Sequence, residues 1–481
     1  MREEVLRLEN VSQQIEGEYY LKDINLHILK GEIVGFVAPE AKGKKELIQI
    51  LEKNIPITYG KVYINNRLVN SYVHSNLSYN KIYVIGQKST LVSDLNIADN
   101  LFVLRRGFRK NVINKKVLRV QTERLMTEFG LKLKPDTVVM RLKPIDRCMV
   151  ELVRAWLMDC SLIVLDNCDS FLGEEDIGRL QGMIQEFCRR EVAFLYMGNH
   201  HEEIYKVCHR AILFANGQIR KKFSKQELDD EHINPYITRF GAVPRERLQS
   251  SREELLSMTD ITYQNLRGFT MSVRKGECVV LLVNDSNVSR DILSLVTEGE
   301  NPQKGLISLR GREYTARMSK KALLHGVGVI EEDPVHTMIF PELSVLDNLT
   351  FLMDRKLDKV VLKKRYYESI LREYQELMGD ALRKKNVADL RNEDLYRLVY
   401  NRIYLFHPDL IFCVSPFAHG DMQCRQVVLE LISQLKGIGI SVIILQVNVS
   451  DSMIVADRLL VVHGGEVEKA YDKNEFYLIK R

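Results

Sequence analysis

The chain repeats itself once over nearly its whole length. LKDINLHILKGEIVGFVA from Leu21 is answered by LRGFTMSVRKGECVVLLV from Leu266, LNIADNLFVL from Leu95 by LSVLDNLTFL from Leu343, and CHRAILFANGQI from Cys208 by ADRLLVVHGGEV from Ala456. The offsets are 245, 248 and 248 residues. Chance does not hold three separated matches in one frame, so a module has been duplicated. The period is far beyond the roughly 20–50 residues of solenoid repeats, which makes each copy a whole domain. Two domains also suit a chain of 481 residues, since one core stops growing near ~250–300. The expected division is a first domain over 1–240, a linker over 241–255 and a second domain over 256–481. The join falls in RFGAVPRERLQSSREELL, which is charged, contains Pro244 and shows no sustained apolar periodicity.

Composition narrows the class. Hydrophobic residues at 45% and charged residues at 28% are those of a globular protein with filled cores. A net charge of +5 from 69 basic and 64 acidic side chains is mild, and no Lys/Arg stripe interleaved with aromatics marks a nucleic-acid surface. The eight cysteines show no C-x-x-C spacing, so reduced thiols without a metal site are expected. MREEVLRLENVS is too polar for a signal peptide, and no apolar run reaches the ~20 residues that span a bilayer. A cytoplasmic protein is expected, meeting a membrane only through a partner.

Each half runs in one order, which predicts an α/β fold. A short antiparallel β portion comes first (LRLENVS, DINLHIL), then a buried strand and loop (IVGFVAPEAKGKK) and a helix (ELIQILEK). A helical stretch follows from about Leu95 to Lys134, where Arg105, Arg106, Arg109, Lys110, Lys115, Lys116, Arg119 and Arg124 read as a solvated basic face. SLIVLD and VAFLYM are strands of the buried parallel type, separated by a helix containing IGRLQGMIQEFCRR. LIFCV and SVIILQV take the same places in the second half.

The stretch between strand and helix bears on chemistry. A phosphate-binding loop reads G-x-x-x-x-G-K-[ST]: glycines let backbone N–H groups close around phosphate, the lysine reaches the terminal phosphates, and the hydroxyl holds Mg²⁺. Here the frame is Ala38-Pro39-Glu40-Ala41-Lys42-Gly43-Lys44-Lys45. Gly43 and Lys44 stand in place, Ala38 and Ala41 replace glycines, Pro39 removes a donor, and Lys45 stands where the hydroxyl belongs. A Gly-Lys pair alone also fits an ordinary turn in a lysine-rich segment.

The later segments resemble the ATP-binding cassette (ABC) family, in particular the tandem nucleotide-binding subunits of ribose, galactose and xylose type sugar importers. VIGQKSTLVSDLNIADNLFV is similar to the family's glutamine loop, and LKPIDRCMVELVRAWLMDCSLIVLDNCDSFL to its signature helix and Walker B strand. The resemblance covers essentially the full chain. It implies two tandem domains, each a mainly parallel P-loop sheet with an antiparallel β subdomain and a helical subdomain, and nucleotide held between the loop of one domain and the signature of the other. It assigns nucleotide contacts to Gly43, Lys44, Lys45, Gln87 and Asp166, with Gln87 and Asp166 toward Mg²⁺.

Against that pattern the motif residues are altered. The signature should begin Leu-Ser-x-Gly-Gln and reads Leu142-Lys143-Pro144-Ile145-Asp146, with Ile145 expected to crowd a phosphate. The glutamate that polarises the attacking water is Asn167, which can hydrogen-bond a water but cannot take its proton. The switch histidine is Asn199 in ungapped alignment, or His200 with a shift of one. In the second half Val283, Asp285, Ser286 and Asn287 fill the loop position, with Asp285 expected to repel phosphate. The second signature is Leu390-Arg391-Asn392-Glu393-Asp394, and Val414 and Ser415 replace the acidic pair of the second Walker B strand.

No catalytic set is therefore intact. The expected protein is a pseudo-ATPase subunit of the sugar-importer kind, with ATP in the first domain only and Mg²⁺ poorly provided for. A regulatory or scaffolding role at a multi-spanning sugar permease, peripheral to the inner face of the cell membrane, is expected. The alternatives are a working ATP-hydrolysing subunit of a carbohydrate importer and a cytosolic adaptor with a signalling partner.

Overall fold

The computed structural model describes residues 3–38, 42–75, 77–86, 88–103, 114–198, 201–229, 253–353, 364–449 and 451–479. The chain divides into two compact units, Met1–Arg239 and Phe240–Arg481. Most of the expected linker lies outside the described residues, and the first strand of the second unit begins at Glu254.

The first unit opens with strands β1 (Glu4–Ile15) and β2 (Glu18–Leu29). They join through Glu16 and Gly17 at φ 51° and 86°, the left-handed pair that lets a two-residue hairpin follow the strand twist. With β4 (Tyr59–Ile64) and β5 (Arg67–Ser71) they form an antiparallel sheet in the order β2-β1-β4-β5. The second sheet adds β3 (Ile33–Val37), β6 (Ile82–Gly86), β7 (Leu162–Asp166), β8 (Ala193–Met197), β9 (Arg210–Ala215) and β10 (Gln218–Ser224) in the order β6-β7-β8-β3-β9-β10. Its strands are parallel except β10, which returns antiparallel on β9. Every residue of β3 and β8 is buried, as continuous apolar strands of a parallel sheet require.

Helices α1 (Lys44–Lys53), α2 (Lys115–Glu128), α3 (Pro144–Leu157) and α4 (Glu174–Arg189) complete this unit's main framework. The helical stretch expected from Leu95 to Lys134 is shorter than its pattern: a helical turn covers Asp99–Val103, and α2 stops before Gly130, whose φ of 67° leaves the helix. Residues 104–113, with Arg105, Arg106, Arg109 and Lys110, lie outside the described residues. Lys115, Lys116, Arg119 and Arg124 are exposed on α2.

The second unit repeats the plan. β11 (Glu254–Tyr263), β12 (Leu266–Arg274), β14 (Lys304–Leu309) and β15 (Arg312–Glu313) form one sheet in the order β12-β11-β14-β15. β13 (Cys278–Val283), β16 (Val327–Ile330), β17 (Leu410–Val414), β18 (Ser441–Gln446), β19 (Arg458–His463) and β20 (Glu466–Asp472) form the other in the order β16-β17-β18-β13-β19-β20.

The duplication extends to single hydrogen bonds. Arg210 donates to Glu32 Oε1 at 2.7 Å and to the His27 carbonyl at 2.5 Å, while Glu32 Oε2 accepts the Leu29 N–H at 2.9 Å. Arg458, Glu277, Ser272 and Arg274 make the same three bonds at 2.6, 2.5 and 2.7 Å. Asn100 donates to the carbonyls of Val92, Leu95 and Asn96, and Asn348 to those of Phe340, Leu343 and Ser344. All eight cysteines are free thiols. Among the described residues, no helix is long and apolar enough to cross a membrane.

Candidate functional site

In the first unit, six residues separate the end of β3 from the start of α1, and Pro39, Glu40 and Ala41 among them lie outside the described residues. Gly43 caps the helix at φ 85°. A Cβ there would sit 2.4 Å from the Tyr20 carbonyl oxygen and 2.8 Å from a ring carbon of Phe214. Backbone conformation and close packing therefore both demand glycine, whether or not a phosphate is bound.

Lys44 opens α1 and reaches across to the end of β7. Its ammonium lies 2.7 Å from Asp166 Oδ1 and 2.8 Å from Asn167 Oδ1, and the lysine is half-buried. Asp166 is the last residue of β7, opposite Gly86 at the end of β6. Asn167 adopts the left-handed conformation at φ 53°, which asparagine tolerates better than most residues. Its N–H donates to the Met197 carbonyl at 2.7 Å, and its own carbonyl accepts from Ser170 Oγ at 2.7 Å. Lys45 is exposed, and Lys42 pairs with Glu18 at 2.5 Å. The structure thus brings together Gly43, Lys44, Asp166 and Asn167 from segments more than 120 residues apart. Gln87, Asn199 and His200 lie outside the described residues.

The second unit rebuilds this place differently. Only two residues separate β13 from the helix Ser286–Leu293. At the repeat offset of 245, Lys44 corresponds to Ser289, so this helix starts three residues early and winds the loop into its first turn. Asp285 is the N-cap, and its carboxylate accepts the Asn287 N–H at 2.9 Å. At the end of β17, Ser415 has φ 39° and its N–H donates to the Leu445 carbonyl at 2.7 Å, the counterpart of the Asn167–Met197 bond. The turn is kept while its carboxylate is gone.

The signature segments begin helices in both units. Lys143 and Arg391 are N-caps without a side-chain capping bond, at the position where serine would cap. Ile145 is fully buried, which corrects the expectation that it would crowd a phosphate. Asp146 pairs with Arg179 at 3.2 Å, and Asp394 with Arg391 at 3.1 Å.

Two buried networks escaped the motif reading. Thr90 donates through both its N–H and its hydroxyl to Glu151 Oε1, each at 2.7 Å, and shares a 2.6 Å bond with the Tyr83 hydroxyl. Burial raises the Glu151 carboxyl above its ordinary range, against the pull of these bonds, and pushes the Tyr83 hydroxyl up to about 12. The sequence signal was an acid on the apolar face of α3, three residues after buried Cys148. In the second unit Val399 takes the place of Glu151, and Arg402, only 3% exposed, donates to the Met338 and Asn348 carbonyls at 2.5 and 2.6 Å. Burial pushes its guanidinium down to about 10.

The sequence is similar to known proteins. Residues 21–170, which hold Gly43, Lys44, Asp166 and Asn167, match the family described as ABC transporter. The chain is 24% identical over 480 residues to the ribose import ATP-binding protein RbsA of Geobacillus kaustophilus, covering 96% of each chain. It is 23% identical to the ribose import ATP-binding protein RbsA 3 of Rubrobacter xylanophilus, covering 98% of this chain and 97% of that one. A putative ribose/galactose/methyl galactoside import ATP-binding protein of Burkholderia cenocepacia is 22% identical, with coverage of 98% and 93%. Among solved structures, the ADP conformation of an ATP-binding cassette of an ABC transporter aligns with 49% of this chain and 96% of its own, at 16% identity and a TM-score of 0.42.

Proposed function

We propose that this chain, a tandem ATP-binding cassette protein of the sugar-importer type, keeps a nucleotide site in its first unit only, hydrolyses ATP negligibly, and serves as a regulatory or scaffolding subunit at a multi-spanning sugar permease. The observation that carries the reading is the clamp on Lys44. The residue after Asp166 is an asparagine whose amide oxygen faces the Lys44 ammonium, so that position holds the lysine and has no carboxylate to accept a proton. General-base help of ~10²–10⁴ in rate is lost with it.

Restriction to the first unit rests on chemistry at the two helix starts. Gly43 and Lys44 keep the shape and charge that suit an anion. The second unit satisfies its helix start with the carboxylate of Asp285, a group that repels phosphate. The import ATP-binding relatives, which align with 96–98% of this chain, support a permease partner and a place at the inner face of a membrane.

Steady-state phosphate release by the full-length protein with Mg-ATP tests the hydrolysis reading: background release is expected, and turnover near ~1 s⁻¹ overturns it. The same end-to-end alignment favours a second reading, a working import ATPase, which that rate would establish. Co-purification from membranes tests the partner. A multi-spanning permease is expected, and recovery with a soluble signalling protein instead supports a cytosolic adaptor.

A further inference from the structure

We infer that the first unit's site takes the polyphosphate of a nucleotide without a divalent cation, the ammonium groups of Lys44 and Lys45 supplying the counter-charge. This rests on the reading of that site as a nucleotide site. Mg²⁺ demands an octahedron of oxygens at ~2.0–2.1 Å. Among the described residues, the donors around Gly43 do not fit it. Where a hydroxyl would ligate, Lys45 offers an exposed ammonium, which has no lone pair to give and repels a dication. Oδ1 of Asp166 lies 2.7 Å from the Lys44 ammonium, and Oδ1 of Asn167 accepts from the same group. Two oxygens that could face a metal, directly or through water, are thus turned to a cation the chain already owns.

The same arrangement suits a bare polyphosphate. Lys44 has three N–H donors, of which Asn167 takes one while Asp166 Oδ1 pairs with the ammonium by charge, so a donor is left to reach a phosphate oxygen while the lysine still screens the Asp166 carboxylate from it. Lys45, one residue further into the first turn of α1, adds a second ammonium at the helix end that already favours negative charge. Free ATP is more anionic than its magnesium complex, so a site that brings its own cations prefers the metal-free form. Held this way, the terminal phosphate lacks the ion that neutralises it during transfer, in keeping with a site that binds without turnover.

The test is calorimetric titration of ATP into the full-length protein, in excess EDTA and in excess Mg²⁺. Wild type is expected to bind one ATP per chain, with EDTA affinity equal to or greater than that in Mg²⁺. Lys45→Met is expected to weaken EDTA binding about tenfold, and Lys45→Thr, which restores a hydroxyl, to make Mg²⁺ strengthen binding. Both substitutions are at an exposed position, and thermal melts check that the fold is kept. Wild-type binding more than about tenfold tighter in Mg²⁺ overturns the inference and leaves the nucleotide reading standing. Absence of heat under both conditions overturns the nucleotide reading, and the inference with it.

Discussion

The carboxylate of Asp285 accepts the backbone N–H of Asn287 at 2.9 Å, so the chain's own anion fills the helix start that would receive a phosphate in the second unit. Replacing it should cost stability without creating a site. Asp285→Ala is expected to lower stability by about 1 kcal/mol, the usual worth of an N-cap. ATP stoichiometry in calorimetry should stay at one, because the connection there is two residues long and has no glycine to bend it. A stoichiometry of two would refute this account.

Gly43 and Lys44 adjoin in sequence and should separate in experiment. Gly43→Ala forces a Cβ to within 2.4 Å of a backbone oxygen at φ 85°, so a loss of about 1–3 kcal/mol in urea unfolding is expected with no nucleotide present. Lys44→Met is expected to abolish ATP binding while the urea midpoint moves much less, since its ion pair is partly open to solvent. Equal effects of both substitutions on stability would contradict the assignment.

Glu32 and Arg210 tie the start of β3 to β9, and acid should undo the tie. Burial opposes the charge on Glu32, yet the Arg210 guanidinium and the Leu29 N–H overcome it and hold the carboxyl below its ordinary value of 4.5. A depressed carboxyl contributes stability above its unfolded value and loses it as pH falls through the folded one. Glu32→Gln is therefore expected to destabilise at pH 7 by about 1–2 kcal/mol, with the difference from wild type shrinking below pH ~4.5. Urea unfolding at several pH values checks this.

Glu151 has the opposite sign. Its carboxyl is raised, chiefly by burial, so its contribution is full below the unfolded value near 4.5 and is lost as pH rises through the folded one. Glu151→Gln keeps an acceptor for Thr90 and removes the buried charge. The variant should match or exceed wild-type stability at pH 7 and lose that advantage in acid, read by the same unfolding series. A variant less stable at pH 7 and equal in acid would reverse the assignment.

Much of the fold was legible because its signals are local or periodic. The apolar runs LIVLD and AFLYM could only be buried parallel strands, and the constant offset made the second unit a copy of the first before any contact was known. Gly43, Lys44, Asp166 and Asn167 could be singled out from spacing, but not the bond between Lys44 and Asn167. Ile145 was misplaced because a residue at a motif position need not face the ligand: on α3 it lies inward with Cys148, Met149 and Leu152. Glu151 passed unseen because an acid among apolar residues takes its meaning from its partner, Thr90, 61 positions away.

The sequence by itself determined that there are two like domains, which strands are buried, and which motif positions have lost their acids, hydroxyls and glycines. These properties belong to residue types at spacings, and each can be read along the chain. Only the tertiary structure decided what the substituted residues do in place of the lost ones. Lys44 is held by Asp166 and Asn167 instead of standing open, and three residues of the second loop are rewound into a helix capped by Asp285. Such outcomes depend on where a donor finds its acceptor in space, and folding sets that separation independently of sequence distance.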